Sequence, residues 1–392
     1  MKICFIYTSL SIAMLVSCTD RVATIKNEKA GKLVATHQLT AVAEKRIFLD
    51  DDTAPQPPYM QMIEDVPGMR ILTFLNPHNQ SVYLYDYDTE RYIKKISYEK
   101  EGPDGILNPA GYYIKNMDSI YVYNMPLIEL VLTDSAAHVK DKISFYNKEP
   151  DWALYNPQYL FSTTCPMINT GNRLVLPGMV PFSFPDTLID KFRFTTHIDL
   201  GTGRIEYHNT YPEKLYGHNY NWNDVVFTQA YPALSPTGEI IFSFPVSHNL
   251  YVTKPGTDDY TTVYAGSNVA RTIRSIDREQ RGTPSELIWV SYLQQDTYSA
   301  ILYDPWRHVY YRFMEQGIPD ATTATQAKEK PIIIILMDEL FNYMGETAIG
   351  TGSEWNWKNS FATEEGLNIE YIDNKDLDEA YLNFKIFKIQ SL

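Results

Sequence analysis

LYDYDTERYI, from Leu84 to Ile93, decides the fold, because its logic returns as THIDLGTGRIEY from Thr196 to Tyr207 and as AILYDPWRHVY from Ala300 to Tyr310. In each copy an apolar, aromatic strand ends at an aspartate, a short polar turn follows, and a second strand begins at an arginine. NLYVTKPGTDDY, from Asn249 to Tyr260, is a looser fourth copy. An aspartate opening a turn between two β-type runs marks a hairpin. Small antiparallel sheets recurring along one chain are the signature of a β-propeller, in which radial closure leaves only short, protected edges.

Working outward, meanders near residues 69–98, 111–146, 172–208, 238–264, 287–314 and 331–388 make six blades of an all-β, single-propeller domain. A seventh would form only if residues 31–50 paired on their own. The favoured reading has a strand near Gln38–Leu49 joining the last blade and closing the ring, which removes an exposed edge. Pro331–Met337 (PIIIILM) is the most apolar run beyond the first 17 residues and fits a strand buried on both faces. A pair of β-sandwiches is the competing architecture, because short strands separated by frequent turns describe both.

Composition agrees. Of 392 residues, 44% are apolar and 21% charged, which is enough to build a core and rules out a disordered chain. Thirty tyrosines, 17 phenylalanines and six tryptophans favour strands over helices. With 34 basic against 48 acidic side chains the net charge is −14, and no basic cluster offsets it, so nucleic-acid binding is dismissed.

The N-terminus carries an address. Met1–Lys2 is a short basic start, Ile3–Met14 is mostly apolar, and Leu15-Val16-Ser17-Cys18 closes the segment. It is too short to span a bilayer and has the form of a secretory signal over 1–17. The tetrapeptide looks like a bacterial lipobox, which implies that Cys18 becomes the acylated first residue. Residues 18–35 then read as a flexible tether and 36–392 as the propeller. Losing 1–17 removes one lysine and no acid, leaving a net charge of −15. The expected location is the cell envelope, at the outer membrane, with a monomeric body held by its lipid. Cys4 goes with the signal and Cys18 is consumed, so Cys165 is left alone as a structural thiol.

Several motifs carry a resemblance. EKEGPDGI (Glu99–Ile106), NMDSIYV (Asn116–Val122), FATEEGLNI (Phe361–Ile369) and LNFKIF (Leu382–Phe387) resemble the Bacteroidota lipoproteins grouped as domain of unknown function 4221. That family is similar to TolB-like six-bladed propellers. The resemblance runs from about residue 40 to the end and implies the fold, but carries over no catalytic residue.

Enzyme signatures are sparse. Neither His-Glu-x-x-His, a Gly-x-Ser-x-Gly elbow nor a phosphate loop is present. Gly201-Thr202-Gly203 and Gly350-Thr351-Gly352 read as hairpin turns. The eight histidines have no helical zinc spacing, and neither Asp50-Asp51-Asp52 nor Asp86-Tyr87-Asp88 has the glycine and terminal glutamate of a calcium loop, so no metal and no cofactor is expected. YHNTYPEKLYGHNYNW, from Tyr207 to Trp222, is the most suggestive stretch. Tyr207, Tyr211, Tyr216, Tyr220 and Trp222 alternate with amides and histidines in a long connection, and Trp355 with Trp357 form a second such loop. Exposed rings beside amides suit sugar faces and peptide surfaces, whereas the same rings packed over blade edges would be core. Two classes follow: a non-enzymatic propeller binding a glycan or an envelope protein on one rim, and a polysaccharide hydrolase or lyase. Two carboxylates ~5–10 Å apart in a cleft would favour the hydrolase.

Overall fold

Asp86 accepts the backbone N–H groups of Asp88 and Thr89, both at 2.9 Å, Asp199 those of Gly201 and Thr202, and Asp304 those of Trp306 and Arg307. The repeated aspartate is therefore the turn-former that the sequence suggests. Four residues after each of them the backbone enters the left-handed region, at Glu90 (φ 61°), Gly203 (φ 70°) and His308 (φ 55°). That reversal sends the chain directly into the next strand.

The computed structural model describes residues 21–66, 68–146, 152–180, 186–222, 225–280, 285–372 and 379–392. Among them lie six four-stranded antiparallel sheets, which are the six blades of a β-propeller. Their first strands, bordering the central opening, are Met60–Val66, Pro109–Asn116, Ile168–Asn169, Tyr231–Leu234, Thr297–Asp304 and Trp355–Thr363. Their outermost strands are Arg91–Ser97, Val139–Ser144, Ile205–His208, Thr261–Tyr264, Tyr343–Thr351 and, for blade six, His37–Phe48. The N-terminal strand closes the ring by pairing along Tyr381–Ser391, from His37 opposite Ser391 to Phe48 opposite Tyr381.

Three expectations change. The blade placed at 287–314 begins instead with the helix Ser285–Gln294, and its first strand starts at Thr297. The blade placed at 331–388 divides: Pro331–Asp338 and Tyr343–Thr351 are the outer half of blade five, and blade six starts at Trp355. Pro331–Asp338 is indeed buried from Ile332 to Met337, because both of its faces are packed: Ile332, Ile334 and Leu336 join one apolar cluster and Ile333, Ile335 and Met337 another. The third change concerns residues 18–35. From Arg21 onward this stretch is docked, not free: Thr24–Ile25 pairs with Ile273–Arg274, and Ala23 is buried. Cys18 and the segment 1–17 lie outside the described residues.

Between blades the core is built from rings whose polar ends are satisfied. Tyr112 meets Thr73 Oγ1 at 2.7 Å, and the Tyr211 and Tyr216 hydroxyls donate to the carbonyls of Thr228 and Phe227, each at 2.7 Å. Aromatic residues can thus fill the interior without orphaned hydroxyls.

Candidate functional site

Each blade's outermost strand hands the chain back to the inner strand of the next blade, and these connections, long except for the three-residue turn from Thr351 to Trp355, converge on one end of the ring. The Asp86, Asp199 and Asp304 hairpins occupy the opposite end. At the converging end is a cleft of about 440 Å³, lined by Gln56–Pro58 before blade one, Leu160–Ser162 and Cys165 before blade three, Gln229 and Tyr231 at blade four, and Asn356, Lys358 and Asn359 of blade six. A second cleft of about 270 Å³ shares Val226, Tyr231, Asn356 and Lys358 with it and extends to Ser299, Glu315, Trp355 and Trp357. Together they form one mouth over the central opening.

A bulge shapes that mouth. In the pairing of Trp355–Thr363 with Gly366–Tyr371, Asn356 faces Glu370 but the next paired residue is Ser360, opposite Ile369. Trp357, Lys358 and Asn359 therefore leave the ladder and are re-aimed, as bulges commonly do beside functional sites. Beneath them sits Glu370, 1% exposed. Its Oε2 accepts from Asn356 Nδ2 at 2.6 Å and Asn359 Nδ2 at 2.7 Å, and its Oε1 accepts the Gln56 N–H at 2.8 Å. Asn359 also donates to the Pro57 carbonyl and accepts from Thr163 Oγ1, both at 2.7 Å. One carboxyl thus sets the orientation of two amides at the mouth and ties blade six to the loops entering blades one and three.

Desolvation pushes the Glu370 carboxyl up to about 7, outweighing the lowering effect of its hydrogen bonds from Asn359, Asn356 and the Gln56 N–H. A folded-state pKa above the unfolded value means that the folded protein holds this proton longer. Its contribution is fully present below about 4.5 and is lost as pH rises toward about 7. The stability of the protein relative to a Glu370→Gln variant is therefore expected to fall across that window, by ~3 kcal/mol at most, as urea unfolding of both proteins at several pH values would show. A constant difference would refute it.

Cys165 lines the first cleft but is inert there. Burial pushes its thiol up to about 12, and Gln229 Nε2 donates to its sulfur at 3.0 Å. The hydroxyl of Ser299, a buried residue in the second cleft, makes no hydrogen bond to the described residues. Among those residues no group of three or more His, Cys, Asp or Glu side chains is placed to hold a metal ion.

The residues singled out from sequence separate into two sets. Trp355 and Trp357 border the second cleft, with Trp357 6% exposed and packed against Tyr231 at 5.8 Å. Tyr211, Tyr216 and Trp222 are core residues, at 2%, 0% and 4% exposure. They pack with Phe244 and Phe227 between blades three and four, and Trp222 Nε1 donates to the Leu215 carbonyl at 2.7 Å. The long connection covers the core with its own rings, so these three cannot line a rim. Tyr207 and Tyr220 are half-buried, Tyr207 on the outer strand of blade three and Tyr220 against His218. Gln56, Asn356, Asn359 and Glu370 carry no local motif. The turn-like Gln56-Pro57-Pro58 was a signal for a connection, not for a site.

A family model described as domain of unknown function DUF4221 matches residues 38–348. A DUF4221 member from Bacteroides vulgatus, solved as a crystal structure, superposes with a TM-score of 0.75 at 19% identity, over 91% of this chain and 99% of that one. A candidate exported protein from Bacteroides fragilis superposes at 0.53 with 12% identity, over 90% and 95% of the two chains. No curated protein matches by sequence. These likenesses establish the propeller fold. Among the described residues no helix is long and apolar enough to cross a membrane.

Proposed function

The chain belongs to the DUF4221 family, and from that premise we propose that it is an envelope lipoprotein, anchored through Cys18 at the outer membrane, whose propeller mouth binds a glycan without cleaving it. One observation carries the ligand class: rings and neutral amides share a single open mouth. Tyr231 and Trp355 supply apolar faces, while Gln56 and Asn356 supply donors and acceptors. Flat apolar area flanked by fixed amides suits a sugar ring, which presents C–H bonds on its faces and hydroxyls around its edge. The Ser299 hydroxyl adds a buried partner for one such hydroxyl.

Binding is favoured over hydrolysis by the carboxylates. Glu315 is the acid among the residues lining the two clefts, and Glu370 is turned into the protein with all its hydrogen bonds directed inward. Among the described residues these clefts therefore do not present together the paired acids used by glycoside hydrolases.

A glycan array with the purified body should give a saccharide hit. The double variant Gln56→Ala, Lys358→Ala, both exposed at the mouth, should weaken that binding about tenfold or more, the equivalent of ~1.4 kcal/mol, with an unchanged melting temperature. Absence of any saccharide hit, alongside capture of one envelope protein by crosslinking, would replace the glycan with a protein partner. Release of reducing ends would make the protein an enzyme.

A further inference from the structure

The stretch preceding the closing strand is a strap. Its N-terminal end is held by Arg21, which pairs with Asp277 at 3.1 Å and Glu279 at 2.6 Å while its carbonyl accepts the Arg278 N–H. Ala23 and Ser275 exchange hydrogen bonds, and Ile25 O lies 3.2 Å from His248 Nε2. Farther along, Asn27 Nδ2 donates to the carbonyls of Ser267 and Ala270 and its oxygen accepts from the Tyr264 hydroxyl. Leu33 N donates to the Asn268 side chain. The chain is thus secured from Arg21 into the closing strand, and three peptide links separate Cys18 from Arg21, a reach of at most ~10 Å.

Where the strap starts matters. Ile276, beside its first contacts, bridges to Asn221, so this point lies among the connections at the cleft-bearing end. The same connection continues into the helix Ser285–Gln294, whose buried Tyr292 lines the second cleft and whose Leu287 and Trp289 are 52% and 37% exposed. Arg271 and Arg274 are exposed nearby on a chain that is otherwise strongly acidic.

We propose that the strap holds the acylated N-terminus beside this helix, so that Leu287 and Trp289 rest in the lipid headgroup layer and the cleft opens toward the membrane surface. The occupant of the exposed Leu–Trp face is a lipid surface, because a short, secured leader gives the body little freedom to stand away from its anchor. Tryptophan and leucine are side chains suited to that interface. The glycan would then be one displayed close to the membrane plane. This inference rests on acylation of Cys18.

The test uses the acylated full chain in phosphatidylcholine vesicles whose acyl chains carry bromine, a contact quencher of tryptophan. Emission should be quenched, Trp289→Phe should remove most of the quenching, and Trp306→Phe should leave it unchanged, since Trp306 is 50% exposed at the opposite end of the ring. Ala23→Glu, which forces a charge into a buried strap position, should keep the protein on floated vesicles yet abolish the Trp289 signal. Flotation with quenching indifferent to Trp289→Phe, or lost instead in Trp306→Phe, would overturn the orientation while sparing the anchor. Failure of the acylation-competent chain to float would overturn the anchor and the orientation with it.

Discussion

A chain beginning at Leu49, and so lacking His37–Phe48, is expected to lose its cooperative unfolding transition and its native near-ultraviolet dichroism. The strand contributes more than backbone pairing with Tyr381–Ser391. Leu39 packs into the cluster shared with Phe313 and Ile334 of blade five, whereas Ile47 packs with Phe74 and Tyr83 of blade one. Lys45, 8% exposed, sits 4.3 Å over the Tyr87 ring and 3.7 Å from Glu365. One strand therefore joins blades five, six and one. Burying Leu39 and Ile47 is worth roughly 3–6 kcal/mol together, and the truncation adds an unpaired edge, against a total stability of about 5–15 kcal/mol for a typical protein. A synthetic peptide of residues 36–49, added to the truncated chain, should restore part of the dichroism by pairing with the open edge. A truncated chain that melts cooperatively near the temperature of the full one would show that the ring does not depend on this closure.

How far the sequence reveals this molecule follows from the range of each interaction. The Asp86, Asp199 and Asp304 turns are legible because carboxylate, backbone donors and left-handed residue lie within five positions of one another. Closure by a strand near Gln38–Leu49 is legible because a ring without it would expose an edge. Inner strands are harder: Ile168–Asn169 has two residues, too few to show any alternation. The boundary between blades five and six is obscured because Tyr343–Thr351 is an outer strand with little burial and reads like a connection. The strap escapes composition altogether, since what secures it are contacts far apart in the chain, such as the Asn27 amide meeting two carbonyls about 240 positions away. Rings between Tyr207 and Trp222 are ambiguous for a different reason, because a long aromatic connection has the same composition whether it covers a core or offers a surface. The mouth itself depends on a bulge at Trp357–Asn359 and on Glu370 eleven or more positions downstream, a juxtaposition created by register alone.

Replacing Arg312 is expected to be the most damaging single substitution. Its side chain is 0% exposed, on Val309–Glu315 in blade five, and its guanidinium lies 3.9 Å over the Tyr298 ring. Burial draws its pKa down to about 10, so it remains charged at neutral pH without an ion pair among the described residues. What compensates the charge is a set of neutral acceptors: Ser243 Oγ at 3.0 Å, Ala265 O at 3.1 Å and Ser247 O at 2.8 Å, with Asn249 O at 3.4 Å. Arg312→Met would keep most of the volume but orphan those acceptors, at about 1–3 kcal/mol for each one left dry, and a loss of about 3–5 kcal/mol follows. Lysine should rescue little, because one ammonium cannot span the positions that the planar fork reaches. The damage should also have a direction. Ser247, Asn249 and Ala265 flank the loops that present His248 and Ser267 to the strap, and the Tyr298 hydroxyl binds both His248 Nδ1 and the Ser267 N–H. Limited proteolysis of Arg312→Lys should therefore cut first within residues 21–35, before global unfolding, and chemical denaturation should show a lowered midpoint at an unchanged slope. If lysine restored full stability, the acceptors would need only a charge and not the fork, and the account of this interior would be wrong.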